Sequence, residues 1–430
     1  MNCPSDSPLN GIANVRLPAW LLPDGWPVQA GAPVMADLRF TAGKMASVTP
    51  YQPEKDDLWN ARGALALPGL IEPHAHLDKT FTIGRSRPAT PGLLAAIATL
   101  HQDRRHWTTT DLQQRARRGM AWAAANGVTR LRTHIDWIDI TPPLAWTVLG
   151  GAVQPGVTLE RVALVPLNLF ADADAADHIA RAVAQSGPSC LLGGFIHSSN
   201  WDPAAMRNLM RSAARWQLDL DLHIDEELSP VAHGLSWLAH YLSGGDSGEP
   251  RFSGHICCSH GCALAAGSEQ QAQEVLSLLA TQRVTLIALP MTNLLLQDAV
   301  THRTPRQRGI TLLKEAQAAG IPVLIGCDNV QDAFCPAGSY DPLDTLACAL
   351  FALQLDNVFD RHSRLICDVA ALSGEAAPAL PLAPGSAASL VLFPGSDSLT
   401  WPLNSAARLV FHHGRLIHQR TWNQEFSHES

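Results

Sequence analysis

Short apolar segments alternate with helical patterns along the middle of the chain. Eight of these segments have the length and apolar content of buried strands. In chain order they are Leu67–Asp78, Thr129–Ile135, Arg161–Pro166, Leu191–Ile196, Leu218–Glu226, His255–His260, Val284–Leu289 and Ile321–Asn329. Helical crossovers between them are what parallel strands require, so the pattern predicts an α/β fold, one turn of a (β/α)8 TIM barrel.

The intervening helices carry recognisable end signals. Thr110 with Gln113 forms a capping-box pattern, and Asp202 before Pro203 combines an N-cap with a proline of the first turn. The clearest predicted helices are 110–126, 203–217, 268–282 and 308–319, of which the first ends at Gly127 and the last at Gly320.

Both ends of the chain have a different character from the middle. Residues 1–66 are rich in Pro and Gly with short apolar pieces, and this pattern resumes after residue 384. Such pieces predict short β-strands joined by turns. We therefore expect a composite β-sandwich domain built from residues 1–66 plus 376–430, beside a barrel domain of residues 67–375.

Two histidines close the first predicted strand. Side chains at i and i+2 of a strand share a face, so His74 and His76 are expected to project together. An isolated pair of this kind more often consists of two solvated histidines at a strand end that bind no metal. Neutral imidazoles on one face also suit zinc or ferrous iron, and the rest of the chain decides between these interpretations.

Three further strands end in groups that could complete a metal site. His223 is followed closely by Glu226, His260 ends the sixth strand, and Asp328 ends the eighth. A (β/α)8 barrel collects its catalytic groups at the C-terminal ends of its strands. The four segments together favour a metal site over four unrelated polar strand ends.

Composition narrows the class of protein. The net charge of −8 without a Lys/Arg stripe argues against nucleic acid or an acidic membrane as partner, and the cluster 115–118 is predicted to be a solvated helix face. No apolar run is long enough to span a bilayer. The first residues show no charged start followed by an apolar segment, so secretion is not expected. Nine cysteines without framework spacing predict reduced thiols and a cytoplasmic location, with Cys257, Cys258 and Cys262 packed in the barrel wall.

These motifs resemble those of the amidohydrolase superfamily, and in particular its bacterial cytosine deaminase branch. The resemblance runs from about residue 63 to residue 375 and matches in order, spacing and strand context. It rests on the segments Pro73–Asp78, Arg132–Asp136, Asp221–Glu226, Ser259–His260, Gln307–Thr311 and Asp328–Asp332.

The resemblance implies a set of roles. His74, His76, His223 and Asp328 would ligate one divalent ion, Zn²⁺ or Fe²⁺, whose bound water becomes a hydroxide near neutral pH. Glu226 would carry protons, while His260 and Asp328 orient and deprotonate the water. The implied reaction is hydrolytic deamination of cytosine or a close aminopyrimidine, a small heterocycle, with release of ammonia. Relatives also lead us to expect a homo-oligomer.

A second metal is not expected. Two-metal members of the superfamily carry a bridging Lys or Glu on the fourth barrel strand. The segment Arg161–Asn168, assigned to that strand, has neither at its C-terminal end. His134 and His197 also end strands, and they are predicted to line the pocket or bond a backbone carbonyl.

The predicted recognition residues depart from the cytosine deaminase pattern. Leu167 and Asn168 follow Pro166 where that pattern has Gln, Asn329 replaces a second Asp, and Phe334 replaces a stacking Trp. The reaction type is therefore expected to persist with an altered substrate. The alternatives are hydrolysis of another C–N bond, in an N-substituted aminotriazine, an isoguanine-type base or a cyclic amide, and a metal-free scaffold protein. The triazine branch differs at the position of Glu226.

Overall fold

The computed structural model describes residues 8–53, 57–245, 252–375 and 381–421. An eight-stranded parallel sheet with the order β14-β13-β12-β11-β10-β9-β8-β7 forms its centre. The strands are β7 (Leu70–Ala75), β8 (Val128–Asp136), β9 (Thr158–Pro166), β10 (Cys190–Ile196), β11 (Leu220–Ile224), β12 (Ile256–His260), β13 (Val284–Ala288) and β14 (Val323–Ile325). The predicted barrel is confirmed.

Helices surround this sheet. The α-helices are α1 (Leu93–Asp103), α2 (Thr109–Ala125), α3 (Leu144–Gly150), α4 (Ala173–Ala184), α5 (Pro203–Trp216), α6 (Gly234–His240), α7 (Glu269–Leu279), α8 (Pro290–Leu296), α9 (Leu313–Ala318), α10 (Pro342–Ala352) and α11 (Val369–Ser373). Shorter 3-10 turns lie at Ala19–Leu21, Arg104–His106, Leu167–Phe170, Ser198–Asn200, Cys262–Ala266 and Ser363–Ile366, and π-helical turns at Tyr241–Gly245 and Val358–His362. In the described residues no helix is long and apolar enough to cross a membrane.

The first and last barrel strands meet beside two of the predicted metal ligands, His74 and Asp328. Ala75 and Asp328 form a parallel bridge, and the amide N–H of Asp328 donates to the carbonyl of His74 at 2.8 Å. Gly326 makes this approach possible, because a Cβ there would lie 2.9 Å from the carboxylate of Glu72 and 3.1 Å from Cβ of His74. Closure of the barrel therefore brings the first and last predicted ligands together.

The structure corrects one detail of the predicted barrel. The segment Arg161–Asn168 belongs to the third strand, β9, because β10 follows it before the ligand strand β11. The true fourth strand ends at Ile196 and His197, and it likewise offers no Lys or Glu.

Helix ends follow their capping chemistry. Asp202 caps α5 as predicted and Ser268 caps α7, each accepting a backbone N–H with its side chain. Helix α2 is capped by Thr108, two residues before the predicted cap. The predicted helix 308–319 shortens to α9, Leu313–Ala318.

Strands from both ends of the chain form a second sheet. Its order is β17-β16-β15-β6-β1-β4-β5, and a small β2-β3 ribbon accompanies it. The strands are β1 (Gly11–Arg16), β2 (Val28–Gln29), β3 (Ala32–Pro33), β4 (Ala36–Thr41), β5 (Lys44–Pro50), β6 (Trp59–Pro68), β15 (Leu390–Phe393), β16 (Arg408–His412) and β17 (Arg415–Arg420). A separate apolar core lies against this sheet, with Ile12, Leu38 and Leu390 fully buried.

The proposed division into two domains rests on two apolar cores, one within the barrel and one against the second sheet. Its boundary at residues 66 and 67 falls inside β6, so one strand would serve both parts. The predicted domain segments also include residues 1–7, 54–56, 246–251, 376–380 and 422–430, which lie outside the described residues.

Packing in the barrel overturns the expectation for Arg115 and agrees with the expectation for the cysteines. Arg115 is buried rather than solvated, and its guanidinium donates to the carbonyls of Asp78 and Thr80 in the loop after β7. Cys257, Cys258 and Cys262 are buried, as predicted, and burial raises the pKa of each thiol. The groups of possible metal ligands in the described part of the chain include none of these three cysteines.

Candidate active site

Four predicted ligands converge at the C-terminal end of the barrel. Nε2 of His223 lies 3.0 Å from Nε2 of His74 and 3.2 Å from Nε2 of His76. Oδ1 of Asp328 lies 3.0 Å from Nε2 of His76 and 3.5 Å from Nε2 of His74. The side chains come from the end of β7 and the residue after it, from β11 and from the turn after β14. Their ligand atoms nevertheless lie close enough to surround one point.

This spacing fits a single ion. Four ligand atoms held about 2.1 Å from one tetrahedral ion stand about 3.4 Å apart. The group His74, His223, His260 and Asp328 also has ligand atoms within 4.8 Å of one another, so His260 stands close beside the predicted set. Facing imidazole nitrogens cannot all be proton donors, whereas they can all donate lone pairs to a cation.

The electrostatics favour neutral imidazoles with an ionised carboxylate. Burial, reinforced by the neighbouring histidines, holds the pKa of His74 and His223 well below the usual range. Burial opposes ionisation of Asp328, but its hydrogen bond with His76 and the nearby positive groups outweigh it and lower its pKa. These are the protonation states in which the side chains bind metal.

Backbone conformation at the site is strained. Asp328 and His260 have positive φ values of 62° and 70°. Non-glycine residues rarely adopt this region, and such strain persists where the surrounding structure fixes it, often at functional sites. Here it turns both side chains inward from the ends of their strands.

Further buried side chains contact the predicted ligand His74. Nδ1 of His74 lies 2.8 Å from Oγ of Ser259. The ring of His134 stacks on His74 with centroids 3.8 Å apart, and its Nε2 lies 3.0 Å from Oδ1 of Asp221. Arg132 donates to the other oxygen of Asp221 at 2.8 Å. Contacts of this kind orient metal-binding histidines.

His134 therefore differs from its predicted role, because it pairs with a buried carboxylate instead of lining the pocket. His74, His134 and Asp221 form another group with close ligand atoms. Since Arg132 already pairs with Asp221, a second cation here would face a buried guanidinium. His197 accepts from the N–H of Ser199 and does not line the cavity that His76, His223 and Asp328 share.

Glu226 and His260 stand together beside the ligands. Oε2 of Glu226 lies 3.6 Å from Nε2 of His260, while Nδ1 of His260 contacts Oδ1 of Asn293 at 3.0 Å. Burial, followed by the charge of Asp328, raises the pKa of Glu226 well above its usual range. A protonated Glu226 can donate a proton to a bound molecule.

A cavity of about 280 Å³ opens over these groups. His76, His223, Glu226 and Asp328 lie at its polar end. Its other walls are largely apolar and include Leu93, Ile97, Leu100, Trp137, Ile138, Leu164, Pro166, Phe195 and Phe334. Such a volume lies at the lower limit of ligand pockets and fits a small, flat molecule.

Two of the four predicted substrate contacts line this cavity. Phe334 and Asn329 are both in its wall, although Nδ2 of Asn329 already donates to Asp332 at 2.8 Å. Leu167 and Asn168 do not line the cavity. Leu167 is fully buried in the barrel core and Asn168 is exposed, because the chain enters a 3-10 turn directly after Pro166. Pro166 itself reaches the cavity.

The sequence prediction missed a charged part of the wall. Lys79, Asp136, Arg104 and His101 all line the cavity. Lys79 lies three residues after His76, and Asp136 ends β8. Because both positions are near the C-terminal ends of strands, the sequence could have predicted that they line the cavity. Arg104 and His101 belong to helix α1 and the following turn, and no pattern in the sequence indicates that this segment folds over the site.

Similarity to known proteins agrees with this geometry. No protein-family model matches the chain. A pterin deaminase of Rhizobium rhizogenes is 31% identical over 380 residues, which cover 86% of this chain and 84% of that protein. The solved structure of 5-methylcytosine deaminase from Klebsiella pneumoniae with phosphonocytosine has a TM-score of 0.80 and 24% identity, covering 96% and 98% of the two chains. N-isopropylammelide isopropylaminohydrolase of Burkholderia multivorans has a TM-score of 0.71 at 23% identity, covering 95% and 98%.

Proposed function

Because this chain belongs to the amidohydrolase superfamily and is a hydrolase of C–N bonds in cyclic compounds, we propose that it deaminates an aminopyrimidine ring with one divalent ion. The ring is either free, as in cytosine, or fused, as in pterin. The observation that carries the proposal is the convergence of His74, His76, His223 and Asp328 within about one ligand-to-ligand distance, with Glu226 beside them.

The proposed ligands are His74, His76, His223 and Asp328, and either Zn²⁺ or Fe²⁺ suits three imidazoles and a carboxylate. When bound, such an ion supplies Lewis acidity and lowers the pKa of a water molecule. The protein would supply the remaining proton transfers from Glu226, His260 and Asp328.

Glu226 would begin the reaction as an acid. Its raised pKa keeps it protonated, so it can protonate the ring nitrogen next to the amino-bearing carbon. Water then adds to that carbon, with Asp328 accepting a proton and Nε2 of His260 accepting a hydrogen bond from the water. A proton passes to the amino group, the C–N bond breaks, and ammonia leaves with an oxo group in its place.

The shape of the cavity supports a flat ring held by stacking. Phe334 lines the cavity and supplies an aromatic ring, and apolar side chains line much of the remaining wall. Asn168 is exposed, so its amide does not reach the cavity to hydrogen-bond the edge of a pyrimidine as expected. Together with the identity to a pterin deaminase, this favours a fused ring, whose second ring would fill the apolar part of the cavity.

A panel of amino heterocycles tests the proposal. Ammonia release would be measured with cytosine, isocytosine, isoguanine and pterin, and alkylamine release with an N-alkyl aminotriazine. We expect turnover of pterin or cytosine at kcat/KM values at least tenfold above those of the triazine. Turnover of the triazine alone would assign the enzyme to a different C–N bond.

A further inference from the structure

The turn that follows helix α1 places a guanidinium group in the wall of the cavity. Arg104 begins the 3-10 turn Arg104–His106 and lines the cavity together with residues of α1. Its neighbour Arg105 is exposed and is not among the lining residues. Adjacent arginines on one turn therefore face different environments.

The hydrogen bonds of Arg104 are incomplete. Nη2 donates to Oδ2 of Asp136 at 2.8 Å, whereas Nε and Nη1 are buried and have no partner. Guanidinium groups carry five N–H donors, and a buried donor without an acceptor is unfavourable. An acceptor brought by a ligand would satisfy donors that the protein leaves open.

Asp136 alone cannot supply that acceptor. Lys79 also contacts its carboxylate at 3.1 Å, so one negative charge is divided between two cations. Asp78 accepts the backbone N–H of Asp136, and Asp332 accepts those of Phe334 and Cys335. Neither Asp78 nor Asp332 is among the residues that line the cavity, so neither supplies an acceptor to Arg104 from the cavity side.

The charged part of the wall, formed by Lys79, Asp136 and Arg104, lies beside the proposed stacking surface. The ammonium of Lys79 lies 4.8 Å from the centre of the Phe334 ring, the proposed stacking surface. Asp136 and Arg104 continue from Lys79 along the same cavity. A ring stacked on Phe334 with its amino group at the ligands would therefore present its substituents toward this wall.

We propose that Arg104 recognises a carboxylate substituent on the substrate, with Asp136 positioning the guanidinium. The proposal rests on the proposed deamination and specifies its substrate class, an aminopyrimidine or fused aminopyrimidine that carries an anionic group on the edge away from the amino group. Charge-assisted hydrogen bonds from arginine to carboxylate are strong and directional.

Matched substrates and matched arginine variants test this assignment. Cytosine is compared with 5-carboxycytosine, and pterin with a pterin carboxylated on its pyrazine ring, in the unmodified enzyme, Arg104→Gln and Arg105→Gln. We expect kcat/KM to favour the carboxylated member of at least one pair by about 10- to 100-fold, the scale of one charge-assisted hydrogen bond. Arg104→Gln should abolish that preference, and Arg105→Gln should retain it.

A binding measurement separates this assignment from the proposed reaction. Calorimetric titration with the carboxylated and plain deaminated products needs no turnover, and it should show the same preference and the same dependence on Arg104. If no substrate releases ammonia, the proposed function fails while the titration still decides the role of Arg104. Equal affinities in the unmodified enzyme, or a preference that survives in Arg104→Gln, would overturn it. Should Arg104→Gln fail to fold, Arg104→Lys, which keeps the charge and loses the planar group, is expected to reduce the preference.

Discussion

Nε2 of His260 lies 3.6 Å from Oε2 of Glu226, and the opposite ring nitrogen of His260 contacts Oδ1 of Asn293 at 3.0 Å. An amide oxygen can only accept, so Nδ1 of His260 carries the hydrogen and Nε2 presents a lone pair toward Glu226. Burial lowers the pKa of His260, which keeps this neutral form. The pair thus combines a protonated carboxyl group with a neutral imidazole, a combination suited to passing protons to and from one bound molecule.

Glu226→Gln tests the carboxyl half of this pair. The amide keeps the size of the side chain but cannot exchange a proton, so kcat should fall by at least about 100-fold. Bound metal and the thermal unfolding temperature should stay near those of the unmodified enzyme, because Glu226 is not a proposed ligand. Steady-state ammonia release and metal analysis check both expectations. Retention of most of the turnover would remove Glu226 from the mechanism.

Asp328→Ala tests the proposed ligand set. Removing the carboxylate leaves three neutral imidazoles, so metal content and turnover should fall together. Asp139→Ala provides the control, because Asp139 is exposed and lies after the end of β8. Metal analysis of both purified variants is the measurement. Full metal content in Asp328→Ala would place the fourth ligand elsewhere, with His260 as the nearest candidate.

Phe334→Leu tests the stacking surface. Leu keeps apolar contact but loses the aromatic face, which contributes on the order of 1 kcal/mol to a ring pair. We expect KM to rise about three- to tenfold with a smaller change in kcat, and Phe334→Trp to keep KM near or below its original value. A fall in kcat alone, at constant KM, would indicate that Phe334 affects the proton-transfer groups instead of binding the ring.

The buried side chain of His255, which lies outside the candidate active site, should make the stability of the protein depend on pH. His255 is buried at the start of β12 with Nε2 3.0 Å from Oγ1 of Thr285, and burial lowers its pKa to about 4. The unfolded chain, with an ordinary histidine pKa near 6.5, binds the proton more tightly, so stability is lost as the pH falls from about 6.5 to 4. The full contribution is about 3 kcal/mol for this difference in pKa.

Chemical denaturation of the unmodified protein and His255→Gln between pH 7 and pH 4 measures this contribution. Gln keeps a polar group near Thr285 but does not titrate in this range. The free energy of unfolding of the variant should therefore decline less steeply over the interval. Identical slopes would show that His255 is hydrated or protonated in the folded protein.

The sequence was most informative where strand periodicity determines the direction of a side chain. The i, i+2 spacing of His74 and His76, and the strand-end positions of His223 and Asp328, were sufficient to predict that their donor atoms meet. Closure of the barrel then placed Asp328 against His74. Local patterns of this kind specify both the fold class and the polar end of the cavity.

Prediction was weakest where tertiary packing determines direction. Asn168 was expected at the cavity, but the 3-10 turn after Pro166 leaves it exposed. Arg115 looked solvated, yet it is buried against the loop after β7. Arg104 reaches the cavity only because α1 folds over the barrel mouth, and no spacing in the sequence indicates that arrangement.

The central claim is that one ion, held by four side chains from distant parts of the chain, is required for hydrolytic deamination. The most direct test is ammonia release from pterin and cytosine by the purified enzyme, by the enzyme stripped with a chelator, and by the stripped enzyme reloaded with increasing Zn²⁺ or Fe²⁺. We predict that stripping abolishes turnover and that reloading restores it with an end point at one ion per chain. Undiminished turnover in the stripped enzyme, or restoration that requires two ions per chain, would contradict the account.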